Sequence, residues 1–473
     1  MNGETRQYGA APRAPAAKNL GFFALFSISI GVIVGQTSTV SLLQAIGIGG
    51  TGFFIAYGLA YLLSICNALT YAELALSLPQ AGSISTYAEV TVGQFPAILA
   101  VFAGYVVPAI FGLPAELMLF DGVINQLFPG LMPHMGWALL LLGTLVVLSL
   151  AGTDVFATTQ QILTFVIISF FLVVGLYVTG SLHGGGAQPA AQVWGEFTVR
   201  TAIAPVAVLC FWTLIGCEYV TPMVEEARDP RRDLPRAMIA GLTCISAVNL
   251  LFAWGAAHVV PRATLTASLT PQLDVVYAVF GHAGRILFAV VALTASASLI
   301  NAVLGAVPRM LHGMALNGQV FPVFKRVSRA RQVPVPALLF VASCPVVGLA
   351  WARGDTNNIL PLMIAATVCW MLVYVLAHVV LLVLRARRPE LARPFRTPFY
   401  PLPQLAAIAG MAYVIANSSP EPAMTRSIVL YSGSVIGIFG LVAAIWVKCF
   451  MKQRLFAPVP VAATGVGADA QAA

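Results

Sequence analysis

Long apolar stretches separated by short polar ones run along nearly the whole chain. Twelve of them read as membrane-spanning helices, at about 20–46, 51–77, 96–122, 134–152, 157–180, 201–222, 237–259, 284–311, 335–352, 359–384, 402–417 and 428–450. Crossing the hydrocarbon of a bilayer takes roughly 20 apolar residues of helix. The pattern therefore predicts an all-α polytopic membrane protein with twelve transmembrane helices. A transporter-sized body occupies 19–452. The Ala/Pro/Gly-rich ends, 1–18 and 453–473, are expected to be disordered tails, since they cannot bury enough surface to fold alone. The first apolar run is too long for a signal sequence and should stay as the first span.

Polar residues inside two of these runs break the pattern. In Phe211–Pro235 (FWTLIGCEYVTPMVEEARDPRRDLP), Gly216, Cys217 and Glu218 interrupt an apolar helix at a depth where a carboxylate is costly. Thr221 and Pro222 follow within a turn. The first run contains a similar interruption, Ile33-Val34-Gly35-Gln36-Thr37, matching Leu214-Ile215-Gly216-Cys217-Glu218 in its two aliphatics, glycine and polar residue. The two stand at the head of two groups of five spans, about 20–180 and 201–384. Five is odd, so such halves would lie oppositely oriented in the bilayer, with the spans within 402–450 as additions. Long helices that loosen around a glycine at mid-membrane are the mark of a secondary transporter.

Composition agrees. Of 473 residues, 59% are hydrophobic and 9% charged, against about 25% charged in a soluble protein, and no length remains for a sizeable soluble domain. The net charge of +8 would suit an anionic partner such as nucleic acid, but the basic residues sit between the apolar runs. With the N-terminus inside, only Arg200, Arg262, Arg285, Arg353 and Arg426 of the 25 Lys and Arg fall outside. That asymmetry places both termini in the cytoplasm and needs no nucleic-acid partner. The seven cysteines lie in or beside apolar segments without a metal-ligand spacing, and the six histidines form no HExxH-type pair. Neither a cofactor nor a metal is expected, and a membrane enzyme lacks its nucleophile or ligand set. A channel would need a repeated filter or a ring-forming polar helix, and none is legible.

At this point the residues resemble the amino acid–polyamine–organocation transporter family. FWTLIGCE resembles its Phe-Trp…Gly-x-Glu sixth helix, and EEARDPRRDLPRAM the loop that follows. AELALSLPQAGS, MLHGMALNGQVFPVF and RRPELARPFRTPFYPLP resemble, in the right order, the approach to its second loop, the exit of its eighth helix and the loop before its eleventh. The resemblance implies a five-plus-five inverted repeat with broken helices one and six around a midplane site. It makes Trp212 an aromatic gate; the cost of a carboxylate at that depth makes Glu218 a residue that carries a coupling proton, holds an ammonium, or braces the break by hydrogen bonds. In amino-acid-transporting members a Gly-x-Gly in the first helix holds the substrate carboxylate through backbone amides. Here the run is Gly35-Gln36-Thr37-Ser38, with threonine for the second glycine, so the hydroxyl and amide side chains are offered in its place.

The remaining candidates come from the residues themselves. Glu116 on the third span, if it faces the cavity, favours a cationic substrate; Asp121 near the outer end is assigned to a wet rim. Trp370 and Tyr374, four apart, are candidates to line the cavity. Ser296, Ser298 and Asn301 on the eighth span keep sodium coupling open beside proton coupling, and no Lys or Arg lies between Thr153 and Gly180 to stand in for sodium. Glu73, Glu225, Glu226 and Asp229 are expected to pair with nearby arginines. The expectation is a permease of the cell membrane that moves a small amino acid or amine, by symport or exchange. A polyamine or other cationic amine held by Glu116 and Glu218 is the alternative. The sequence leaves oligomeric state open.

Overall fold

The computed structural model describes residues 18–181, 199–328, 330–352, 359–418 and 422–461. The outer parts of both expected tails, and Arg329 and Arg353, lie outside these. Among the described residues the secondary structure is helical, with a single isolated β-bridge between Leu20 and Ala227.

The first span is two helices, α1 (Phe22–Gly31) and α2 (Gln36–Gly49), bent by 60° at Val32–Gly35. The second is α3 (Gly52–Ser77). A short α4 (Ile84–Glu89) leads to α5 (Gln94–Val101), which continues through a π-helical turn, Phe102–Val106, into α6 (Val107–Leu127). Pro114 inside α6 lacks the N–H that would have reached the Ile110 carbonyl. Gly348, which lies on a later helix, packs directly on that carbonyl. Helices α7 (Gly136–Ala151) and α8 (Thr153–Ser181) follow.

The sixth span starts as α9 (Val199–Trp212), unwinds at Thr213–Gly216 and resumes as a 3₁₀ helix, Cys217–Glu226. Gly216 has φ +124°, which a residue with a side chain rarely adopts. Next come α10 (Pro230–Val259), the short α11 (Arg262–Ala267) and α12 (Pro271–Phe280), the long α13 (Gly284–Leu316), and α14 (Val335–Ala352). The chain then runs through α15 (Ile359–Arg387), α16 (Leu402–Ala416) and α17 (Pro422–Ile445).

Among the described residues nine helices are long and apolar enough to cross a membrane, or ten with the bent α1–α2 pair counted as one span. The chain is a multi-pass membrane protein. Two further apolar helices, Gly136–Ala151 and Leu402–Ala416, are shorter than the others.

The two broken helices lie side by side in opposite directions. Leu20 N–H donates to the Glu226 carbonyl at 3.0 Å, and Arg228 N–H to the Leu20 carbonyl at 2.9 Å. Further along, Val32 meets Gly216, where an added Cβ would lie 2.7 Å from the valine Cβ. Further still, the Ser41 hydroxyl donates to the Leu209 carbonyl at 3.0 Å. Around this pair pack α3, α6, α8, α10 and α13, while much of α17 turns apolar side chains such as Val429, Ile438 and Leu441 outward. In a bilayer such side chains face lipid tails, which are as apolar as they are.

The expected acid–arginine pairs form at Glu73 and Glu226. Arg385 Nε and Nη2 donate to the two Glu73 oxygens at 2.7 and 2.6 Å, and Thr397 N–H adds a third bond at 2.7 Å. Arg309 grips Glu226 at 2.6 and 3.2 Å. Asp229 instead accepts from Arg232 N–H as the N-cap of α10. Beyond α17 and a π-helical turn, Trp446–Phe450, the chain folds back: Phe95 N–H donates to the Leu455 carbonyl and Val459 N–H to the Glu89 carbonyl.

Candidate functional site

The break in the first span offers main-chain donors. Gly35 is the N-cap of α2, so the N–H groups of Gln36 and Thr37 have no acceptor within the helix and stand at its positive end. Glu116 on α6 fills the gap. Its Oε1 accepts the Gln36 N–H at 2.8 Å and the Ser296 hydroxyl at 2.7 Å. Its Oε2 accepts the Thr37 N–H at 2.9 Å and the Thr37 hydroxyl at 2.8 Å. Gln36 Nε2 donates to Ser296 at 2.8 Å and closes the ring. The carboxylate is fully buried, and four donors match its full accepting capacity. Gly35 is needed for this approach, since a Cβ there would lie 2.9 Å from Glu116 Oε2 and overlap Leu299.

Glu116 is therefore not the open, cavity-facing acid that the sequence suggests. Both of its oxygens are taken up by the first break. Asp121, one turn on, is corrected in the same sense. It is buried rather than at a wet rim, and it accepts the Met135, Trp137 and Ala138 N–H groups at 3.2, 3.1 and 3.3 Å at the start of α7. Two acids on α6 thus cap the N-termini of two different helices. Ser38, one residue past this ring, is buried but takes no part in it.

The second break leaves its acid largely unmatched. Glu218 is fully buried, and its Oε1 accepts the Trp370 indole N–H at 3.1 Å. Its Oε2 has no donor within strict hydrogen-bonding geometry, and the Tyr374 hydroxyl is the nearest donor beside it. Tyr71, Tyr105 and Tyr219 stand close enough to feel its charge. The rings pack on one another: Tyr219 and Trp370 at 5.6 Å between centroids, Tyr105 and Tyr219 at 5.3 Å, Tyr71 and Tyr374 at 5.8 Å. Trp212 meets Trp370 edge-on at 6.1 Å and lies over Gly112, where a Cβ would come within 3.1 Å of the indole. Its own indole N–H is buried without a partner. Cys217 is buried beside Glu218.

Between the two breaks lies a cavity of ≈ 20 Å³ lined by Val32, Gly112, Trp212, Tyr219, Leu299 and Trp370 among others. That is space for about one water molecule, so the centre is closed around itself. A larger cavity of ≈ 610 Å³ lies at the end of the broken pair where Glu226 meets Arg309, and includes Thr153, His312 and Pro222 in its wall.

A third cluster binds α1, α8 and α13. Gln160 Nε2 donates to the Ser298 hydroxyl at 2.7 Å, Ser298 donates to the Gly31 carbonyl at 3.2 Å, and Asn301 Nδ2 donates to Gln160 Oε1 at 2.9 Å. Of the residues considered for sodium, Ser298 and Asn301 thus meet a neutral amide from α8, while Ser296 belongs to the Glu116 ring. Sequence reasoning passed over Gln160 because it sought a charge there. It also passed over Tyr71, Tyr105 and Tyr219; only Tyr219, next to Glu218, carried a signal.

Comparison with known proteins supports this architecture. Residues 20–442 match the family described as amino acid permease. The chain is 23% identical to the serine/threonine exchanger of Bacillus subtilis (strain 168), an alignment covering 90% of this chain and 95% of that one. It is 23% identical to the branched-chain amino acid permease of the same organism, covering 85% and 88%. It is 25% identical to the human b(0,+)-type amino acid transporter 1, covering 86% and 83%. Among solved structures, a nucleobase-cation-symport-1 family transporter in a closed conformation with bromovinylhydantoin bound shares the fold. Its TM-score is 0.55 at 16% identity, over 95% of this chain and 98% of that one.

Proposed function

Because the chain belongs to the amino acid permease family, we propose that it moves a small amino acid or amine across the cell membrane by alternating access, driven by protons or by exchange. Membership makes it a transporter rather than a membrane enzyme. The observation that carries the mechanism is the meeting of Val32 and Gly216, where two oppositely directed broken helices enclose a buried, half-matched acid. Main chain freed at such breaks offers donors and acceptors to a solute at mid-membrane, where lipid offers none.

In this reading twelve spans form two inverted halves of five plus two further helices. Both termini are cytoplasmic, as the distribution of Lys and Arg favours. The larger cavity is then the inward vestibule, and the aromatic layer of Trp212 and Trp370 closes the site toward the outside. Rocking one half against the other exchanges which side is closed.

Glu218 is the coupling residue of this proposal. An ionised carboxylate away from water with only one oxygen matched is expensive, so its charge is to be met by a solute cation or cancelled by a proton. Protonation and solute occupancy then oppose one another at a single oxygen. The Gln160–Ser298–Asn301 cluster favours coupling without sodium, since an amide N–H already supplies the positive dipole that Ser298 accepts.

The direct test is uptake into proteoliposomes holding the purified protein, with labelled amino acids and amines and an imposed pH gradient. Accumulation that follows the gradient, or exchange against internal solute in its absence, is the expected result. A non-saturable flux identical to that of protein-free vesicles refutes the reading.

A further inference from the structure

We propose that Glu116 is a built-in carboxylate occupying the anion seat of the site, so that the solute is a small monoamine without a carboxyl group, its ammonium directed to Glu218. This rests on the transporter reading above and narrows its substrate.

The N-terminus of α2 is where a solute anion would be received, because free N–H groups and the helix dipole converge there. It is already full. The Gln36 and Thr37 N–H groups and the Thr37 and Ser296 hydroxyls all donate to Glu116 at 2.7–2.9 Å. Pulling the acid away would strand two buried N–H groups and an unpaired charge. Adding a second carboxylate would set like charges side by side in a medium of low dielectric. The packing is built to this arrangement: Gly35 leaves room for Glu116 and for nothing larger. Threonine at position 37 lends the acid a hydroxyl that glycine would lack.

The opposite end is unfilled. Glu218 Oε2 has no donor within strict hydrogen-bonding geometry, with the Tyr374 hydroxyl standing nearest, and rings of Tyr and Trp surround it. An ammonium supplies N–H donors to the oxygen and a cation to the ring faces. Between the two ends the lining is apolar, with Val32, Leu113, Ile215, Leu299 and Val303, which suits an alkyl or aryl body. With one acid half-matched and the other fully engaged, the site receives a single ammonium rather than a diamine.

The test compares solutes that differ only by a carboxyl group. Isoamylamine against leucine, and phenethylamine against phenylalanine, are assayed for uptake and for thermal stabilisation of the purified full-length chain. The expected result is a preference for the amine of each pair of about tenfold or more, with putrescine weaker than either amine. Glu116→Ala, by vacating the seat, narrows or reverses that preference. Leucine and phenylalanine handled by the wild type as well as their amines would overturn the inference while leaving the transporter intact. So would a preference for putrescine, or an unchanged amine preference in a folded Glu116→Ala protein. Should that variant fail to fold, the wild-type pairs decide. Absence of uptake and stabilisation for every solute would overturn the inference together with the transporter reading.

Discussion

Glu116 Oε2 accepts both the N–H and the hydroxyl of Thr37, at 2.9 and 2.8 Å, so one residue of the broken first span holds the acid of α6 twice. The main-chain bond survives any substitution at position 37 except proline; the side-chain bond is lost with the hydroxyl. Thr37→Val therefore keeps the bulk and removes one charge-assisted donor, a loss of about 1.5–3 kcal/mol. A lowered melting temperature of the detergent-solubilised protein is the readout. Thr37→Gly should leave the affinity for amino acids as it is, because Glu116 retains both N–H donors; a large gain in that affinity would show that the hydroxyl alone keeps the seat closed.

Glu218→Gln is expected to abolish accumulation driven by a pH gradient and to weaken exchange as well, since the amide carries no charge to receive a solute ammonium. The amide keeps an acceptor oxygen for the Trp370 indole N–H, now made at 3.1 Å, so the aromatic layer holds. What it loses is the ability to alternate between charged and neutral forms. Side-by-side assays of gradient-driven uptake and counterflow separate the two, and undiminished gradient-driven uptake would remove Glu218 from coupling.

Gly216→Ala should be among the most damaging single-atom changes in the chain. It forces a side chain onto φ +124° and sets a carbon 2.7 Å from Val32 Cβ. Strain and overpacking together are of the order of 2–4 kcal/mol. Size-exclusion profiles and thermal melts are expected to show a destabilised protein, and a partial rescue by Val32→Ala would assign part of the cost to that contact.

Gln160→Leu tests the third cluster. It leaves Ser298 without its donor and Asn301 with only the Phe156 carbonyl at 3.3 Å in a buried region, at a cost of about 1–3 kcal/mol. Transport by the wild type should be indifferent to replacing sodium with potassium on both sides. A strict sodium requirement would contradict a role for Gln160 in place of a cation.

The sequence made the helices legible where apolar runs were long and uninterrupted. The run read at 51–77 is α3, Gly52–Ser77, and the run at 335–352 is α14. The breaks were legible because Gly35 and Gly216 mark places where helical geometry gives way. Glu116 was visible as an acid at membrane depth, but its partner was not. Half of the donors that hold it are backbone N–H groups 79 and 80 residues away, and main chain carries no letter in the sequence. Asp121 was misjudged for the same reason. The tyrosines around Glu218 were hidden because an aromatic in an apolar span looks alike whether it faces lipid or a carboxylate.

The bridge between Leu20 and Ala227 has a different kind of consequence. It fastens the start of the first broken helix to the end of the second by peptide groups alone, through Leu20 N–H to Glu226 and Arg228 N–H to Leu20. Such a clasp is indifferent to the identity of the side chains around it. Substitutions that reshape the chamber between the breaks therefore leave this fastening in place, since none of its atoms belongs to a side chain.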